Sequence, residues 1–177
     1  MSAHQMTIRR AAAADLPAIG DIYNYFVATS SCTFDTEPRP ADGWHEWLKE
    51  HDDRTPAIVA IEAGRVVGWG SLSRWNNRCA YRFSVEDSVY VHKDAHGRGI
   101  GRCVLTELLR VARQHGHHNV IAQIAGDQPI SEALHVALGF RKAGCLEKIG
   151  HKFDRWIDVG IWQLRLAQGN DAGPARS

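Results

Sequence analysis

A single α/β domain, built on a mixed central β-sheet flanked by helices, is predicted by three observations. A chain of 177 residues with 44% hydrophobic side chains is long enough for one core and short for two. The first half holds a hairpin signature, "PAIVAIEAGRVVGWGSL", two apolar runs around a tight turn at Ala63-Gly64. The second half reads strand–helix–strand, from "FSVEDSVYV" through a leucine-rich stripe to "NVIAQIA". A hairpin followed by a crossover makes the sheet mixed.

Along the chain, "MTIRRA" reads as the first strand. Asp15 precedes Leu16-Pro17, an N-cap followed by an early-helix proline, and Ile19, Ile22, Tyr23 and Phe26 recur at helical spacing. "SSCTFDTEPRP" is a loop, and a short helix with Trp44, Trp47 and Leu48 on one face follows it. After the hairpin, "WNNRCAYR" is an irregular link. In "FSVEDSVYV", alternation puts Val85, Asp87, Val89 and Val91 on one face and Glu86, Ser88 and Tyr90 on the other. Ile100, Val104, Leu105, Leu108, Val111 and Ala112 form a helical stripe that stops at Gly116. "NVIAQIA" is a buried strand, "SEALHVALGF" a short helix ending at Gly139, and "WIDVGIWQLRL" the last strand. "AQGNDAGPARS" has no apolar face, so residues 168–177 are expected to be a disordered tail.

Composition excludes several function classes. No stretch approaches a membrane span, and "MSAHQMTIRRA" lacks the apolar core of a signal peptide. A net charge of +1 and the lack of an aromatic-interleaved basic stripe argue against a nucleic-acid partner. Cys32, Cys79, Cys103 and Cys145 lie far apart, with no C-x-x-C, and read as buried thiols in a reducing cytoplasm. His115, His117 and His118 cluster around Gly116 without a well-spaced acidic or cysteine partner, so no metal site is expected.

The chemistry concentrates in "VYVHKDAHGRGIGRCVLTELL". Glycines at 97, 99 and 101 permit positive φ and close approach of a ligand to the main chain. At a helix start, free N–H groups and the helix dipole make an anion site, which Arg98 and Arg102 reinforce. The loop is neither a P-loop, since no Lys-Ser or Lys-Thr follows, nor a dinucleotide fingerprint, since the sixth position from Gly97 is Arg102. A phosphate or pyrophosphate is the natural occupant.

A strand ending in "SVYVH" and followed by Arg-x-Gly-x-Gly resembles the pyrophosphate loop of the GNAT superfamily of acyl-CoA-dependent N-acyltransferases. That pattern is Gln/Arg-x-x-Gly-x-Gly/Ala, and Gly99 and Gly101 match its glycines, whereas its first position here is His96. "IYNYFVATSSCTFDTEP", "FSVEDSVYVHKDAHGRGIG", "LHVALGF" and "GHKFDRWIDVGIWQL" together resemble the phosphinothricin and methionine-sulfoximine N-acetyltransferases, in order from about residue 7 to residue 166. Gly-x-Lys-Phe-x-x-Trp-x-Asp, from Gly150 to Asp158, is the most specific of these motifs. The resemblance implies a GNAT-like domain over residues 1–167, acetyl-CoA as co-substrate, a small amine as acceptor, a cytoplasmic enzyme and a homodimer.

It also implies roles for single residues. An α-amine is protonated near neutral pH and must lose a proton before attacking a thioester; Glu86 matches the family's catalytic glutamate. The oxyanion of the intermediate is served by main-chain N–H groups near Val89, Tyr90 and Val91. The cofactor set is completed by His96, Gly97, Arg98, Gly99, Ile100, Gly101, Arg102, Gln128 and Ser131, Gln128 standing near where relatives carry an asparagine. His135 occupies the position where many members place a tyrosine acid, and either protonates the departing thiolate or hydrogen-bonds structurally. For the acceptor's carboxylate an arginine fork is wanted: Arg82 first, on the face of Glu86 if the strand reaches it, then Arg74 and Arg78. Phe34, Trp75 and Asn76 match pocket-lining regions, and Lys152 and Phe153, in the family-specific loop, complete either the pocket or a dimer contact. Acetylation of a peptide N-terminus and a silent acyl-CoA sensor are the rival readings.

Overall fold

The computed structural model describes residues 6–166. The elements, in chain order, are β1 (Thr7–Arg10), α1 (Leu16–Thr29), α2 (Ala41–Lys49), β2 (Ala57–Glu62), β3 (Arg65–Arg74), β4 (Ser84–Val91), α3 (Ile100–Gln114), β5 (Asn119–Ala125), α4 (Pro129–Ala137), β6 (Arg141–Lys152) and β7 (Arg155–Arg165). The seven strands form one sheet in the order β1-β2-β3-β4-β5-β7-β6. The β4–β5 pair is parallel and the others are antiparallel, so the expected mixed sheet is present. The expected tail at 168–177 lies outside the described residues.

Each face of the sheet carries its own core. On one, Val104, Leu105, Leu108 and Ala112 of α3 pack against Ile58, Leu72, Val85, Val120 and Trp162. On the other, Leu16, Ile19, Ile22 and Tyr23 of α1 meet Trp44, Val59 and Trp69. The first contact is close because Gly70 lacks a side chain: a Cβ there would lie 2.7 Å from Val104 Cγ1 and 2.8 Å from Ser88 O. Helix α3 therefore lies directly on the backbone of β3, which fixes where its N-terminus meets β4.

That meeting point shapes the site. Strands β4 and β5 pair only over Ser84↔Asn119, Val85↔Val120 and Glu86↔Ile121. Beyond Glu86 they diverge, and the β5-facing edge of β4 loses its strand partner. Into this opening project the loop before α3 and the helix α4.

Three readings need correction. Strand β6 was not foreseen; it pairs with β7 across a turn at Phe153 and Asp154, both with positive φ (53° and 56°). Asp15 does not cap α1: it has helical angles, and its carboxylate reaches back to accept from Ala12 N–H and to pair with Arg9. Cys79, Cys103 and Cys145 are exposed, and Cys32 is half-buried. None of the described helices is long and apolar enough to cross a membrane.

Candidate active site

A cavity of about 610 Å³ fills the opening between β4 and β5. Its walls are Glu86 to Val91 of β4, Ala122 to Ile124 of β5, the loop around Gly97 to Arg102, and Gln128, Ser131, Leu134 and His135 at α4, with Phe26 and Cys32 across from them. One end is a charged and backbone-rich cradle, the middle is apolar, and the far end holds carboxylates. That sequence suits an elongated ligand with an anionic head and a reactive tail.

The cradle is dictated by local chain chemistry. Gly99 is the N-cap of α3 with φ 77°, and Gly97 has φ 74°, angles that only glycine adopts at no steric cost. The turn they allow aims the first N–H groups of a 15-residue helix at the cavity. Of the two arginines expected here, Arg102 lines the cavity, whereas Arg98 is drawn aside into a 2.5 Å ion pair with Glu62. His96 is exposed; its Nε2 donates to the Val91 carbonyl at 3.0 Å, and its ring stacks on Phe26. This ties the loop to the end of β4. The residues present therefore fit a pyrophosphate-bearing acyl carrier, which main-chain N–H groups and Arg102 would hold.

At the other end, alternation along β4 holds as read. Glu86 faces one side, where Gln123 Nε2 donates to its Oε1 at 3.0 Å. Burial pushes its carboxyl above the ordinary glutamate value, the Gln123 hydrogen bond opposes the shift and the Asp87 charge adds to it. A carboxylate so placed is a stronger base than an exposed one. Asp87 faces the opposite side, buried among valines, and meets His135 Nε2 at 3.0 Å through Oδ2. His135 is 4% exposed, and its Nδ1 donates to Ser131 O at 2.7 Å. Burial works against a charge on this imidazole, but Asp87 and the Ser131 carbonyl outweigh it, so its pKa lies above the ordinary histidine value.

Several expected acceptor residues do not line the cavity. Strand β4 begins at Ser84, so the alternation that would put Arg82 beside Glu86 stops short of it. Arg82 instead ends a short 3-10 turn, with its guanidinium over the Phe83 ring. Arg74 closes β3, Asn76 accepts from Arg78 N–H, and Trp75 is half-buried beside them. Phe34 packs against Gly150, where a Cβ would lie 2.4 Å from its ring. Lys152 acts as a strut: it is 4% exposed, and its Nζ donates to Ser30 O and Thr33 O, both at 2.8 Å. Burial holds its pKa below the ordinary lysine value.

The strut belongs to a network that the sequence did not disclose. Ser31 donates to Asp127 at 2.5 Å, Asp127 also pairs with Arg155, and Gln128 Nε2 donates to Ser31 Oγ at 3.1 Å. Together they fasten the 30–34 loop to the β5–α4 turn and to the β6–β7 hairpin. Gln128 thus borders the cavity while its amide nitrogen serves the loop. Cys32, Gln123, Leu134 and Asp87 are cavity residues that the sequence reading missed as such. For Asp87 a signal existed, a carboxylate on a strand face otherwise made of valine.

Comparison with known proteins agrees with this geometry. Residues 19–140 match the Acetyltransferase (GNAT) family model. The L-methionine sulfoximine/L-methionine sulfone acetyltransferase of Salmonella typhimurium is 36% identical over 162 residues, covering 91% of this chain and 95% of that protein. The crystal structure of a GNAT superfamily phosphinothricin acetyltransferase from Sinorhizobium meliloti in complex with AcCoA superposes with a TM-score of 0.91 at 37% identity, covering 96% of this chain and 93% of that one. A ribosomal-protein-alanine N-acetyltransferase structure from Brucella melitensis gives 0.88 at 38%, covering 90% and 99%. With the cradle, the parted strands and the half-buried glutamate in place, the chain belongs to the GNAT acetyltransferase family and is an acetyl-CoA-dependent N-acetyltransferase.

Proposed function

We propose that this enzyme acetylates the α-amine of a small amino-acid analogue of the phosphinothricin or methionine-sulfoximine type. The observation that carries the reading is Glu86: a half-buried carboxylate of raised pKa at the cavity end away from the glycine cradle. In this reading Glu86 takes a proton from the acceptor's ammonium, directly or through one water. The freed amine attacks the thioester carbonyl, its nitrogen gives up a second proton to solvent, the C–S bond breaks, and the thiolate leaves to be protonated. Main-chain N–H groups of Val89 to Val91 serve the oxyanion, and Gly97, Gly99, Ile100, Gly101 and Arg102 hold the pyrophosphate. His135, which lines the cavity, is assigned in this reading to the side from which the sulfur departs.

Cys32 of the fastened 30–34 loop lines the cavity, and a fixed wall there favours a small substrate over a polypeptide. Likeness to a ribosomal-protein-alanine enzyme keeps peptide acetylation as the second reading. We further propose a cytoplasmic homodimer, formed by the β6–β7 hairpin. This hairpin exposes Leu146 (45%), Ile149 (59%), Phe153 (49%) and Trp156 (63%), more apolar surface than an isolated two-stranded arm keeps in water. Arg74, Arg82, Trp75, Asn76 and Phe34 remain candidates for the acceptor at such an assembled site. The test is product analysis by mass spectrometry after incubation with acetyl-CoA and a panel of amines. N-acetylated phosphinothricin, methionine sulfoximine or methionine sulfone, with peptides unmodified, is the expected result. Acetylation of peptide N-termini alone would replace the first reading with the second.

A further inference from the structure

Asp87 and His135 form a buried ion pair, 48 residues apart in sequence, where the cavity wall passes from β4 to α4. A backbone carbonyl can only accept, so the 2.7 Å contact with Ser131 O puts a proton on Nδ1. An ionised Asp87 then takes the Nε2 proton, and the ring carries both. No third N–H exists to hand to a leaving group without breaking one of these bonds. Asp87 Oδ1 is buried with no hydrogen-bond partner among the described residues, so the carboxylate's one polar outlet is the imidazole. A buried pair with an oxygen left over is expensive as a fold stabiliser, which makes a purely architectural purpose a poor explanation.

We infer that Asp87 is a positioning residue for acetyl transfer, acting through His135: it fixes the imidazole with both ring N–H groups committed, so that His135 serves as a stationary positive charge beside the departing thiolate instead of as its proton donor. This rests on the acetyl-transfer reading of the same cavity. The thiolate is stabilised as the C–S bond breaks and takes a proton from solvent; the nitrogen's second proton and the one held by Glu86 are both released, so each turnover yields one net proton. The surroundings of His135 leave Asp87 in control. Helix α4 contributes the Ser131 carbonyl, Phe140 covers the ring edge-on at 4.9 Å, and β5 presents Ala122 and Ile124, which do not titrate. Glu86, next to Asp87, faces the other side and Gln123. The helix's own Glu132 sits in its first turn.

The test combines NMR titration of the His135 ring nitrogens with kinetics on the full-length protein. In the wild type both nitrogens should be protonated at the pH of maximal kcat; an unprotonated Nε2 there would overturn the inference, whatever any variant does. In Asp87→Asn the midpoint should fall by about one to three units, and the alkaline limb of kcat should move down with it, while Asp87→Glu restores part of the shift. Adding Asp87→Asn to His135→Gln should change kcat by no more than about twofold. A lower kcat with an unmoved limb, or full additivity in the double variant, would reduce Asp87 to a structural role. Failure of the wild type to acetylate any amine would count against the acetyl-transfer reading, and the NMR result would stand apart from it.

Discussion

At the scale of single residues, the site depends on two carboxylates that share a strand and face opposite ways. Glu86 is held above its ordinary pKa by burial, so the rate should climb with pH through a limb lying above the usual carboxylate range. Burial opposes a charge on His135, but Asp87 and the Ser131 carbonyl outweigh it and hold the imidazole above the ordinary histidine value. Its folded pKa lies above the unfolded value, so its contribution to stability is complete below about pH 6.5 and is lost as pH rises through the folded value. Urea denaturation should therefore show wild-type stability declining from pH 6 towards pH 9 relative to His135→Asn; parallel curves would show that the imidazole carries no extra charge in the fold. Part of this was legible from the residues alone. Alternation in "SVEDSVYV" separated Glu86 from Asp87 correctly, because the run is a regular strand paired on both sides at that point. What alternation could not supply was the partner across the cavity. The same rule does not extend to Arg82, which ends a 3-10 turn two residues before the strand begins.

Among the elements, the 30–34 loop shows how irregular chain is made to hold a shape. The Ser30 and Thr33 carbonyls and the Ser31 hydroxyl are satisfied by Lys152, Asp127 and Gln128, which come from two later parts of the chain. Lys152→Met keeps the length of the side chain and removes the donors, leaving the Ser30 and Thr33 carbonyls unpaired. We expect a loss of about 1–3 kcal/mol in denaturant unfolding, a raised KM for the amine and an unchanged KM for acetyl-CoA. A change confined to acetyl-CoA would mean that the loop does not wall the acceptor end. This fastening was invisible in the sequence because every one of its bonds is long-range. Strand β6 escaped for a different reason. It is an exposed edge with almost no burial alternation, and its turn is made by Phe153 and Asp154 instead of glycine or asparagine. By contrast, the hairpin at Ala63-Gly64 and the helix from Ile100 announced themselves, one by its turn residues and the other by a continuous apolar stripe.

Over the whole molecule, the sheet explains why cofactor and acceptor meet where they do. A parallel pair at β4–β5 that lasts only three residues opens a slot in an otherwise continuous sheet, and α3 points its N-terminus at the mouth. The β6–β7 hairpin extends from the far edge and exposes its apolar tip. Sedimentation velocity should find a dimer for the wild type, and the double variant Ile149→Glu, Trp156→Ser should sediment as a monomer of normal secondary structure. A monomeric wild type would remove the proposed interface. Central to the whole is the claim that Glu86 activates the amine in this slot. Its most direct test is thiol release at saturating acetyl-CoA and methionine sulfoximine, comparing the wild type with Glu86→Gln, whose acetyl-CoA affinity is measured by calorimetry. Loss of the base should lower kcat by about 10²- to 10⁴-fold with acetyl-CoA affinity intact. A variant that turns over as fast as the wild type would contradict the role given to Glu86 and, with it, the chemistry assigned to this cavity.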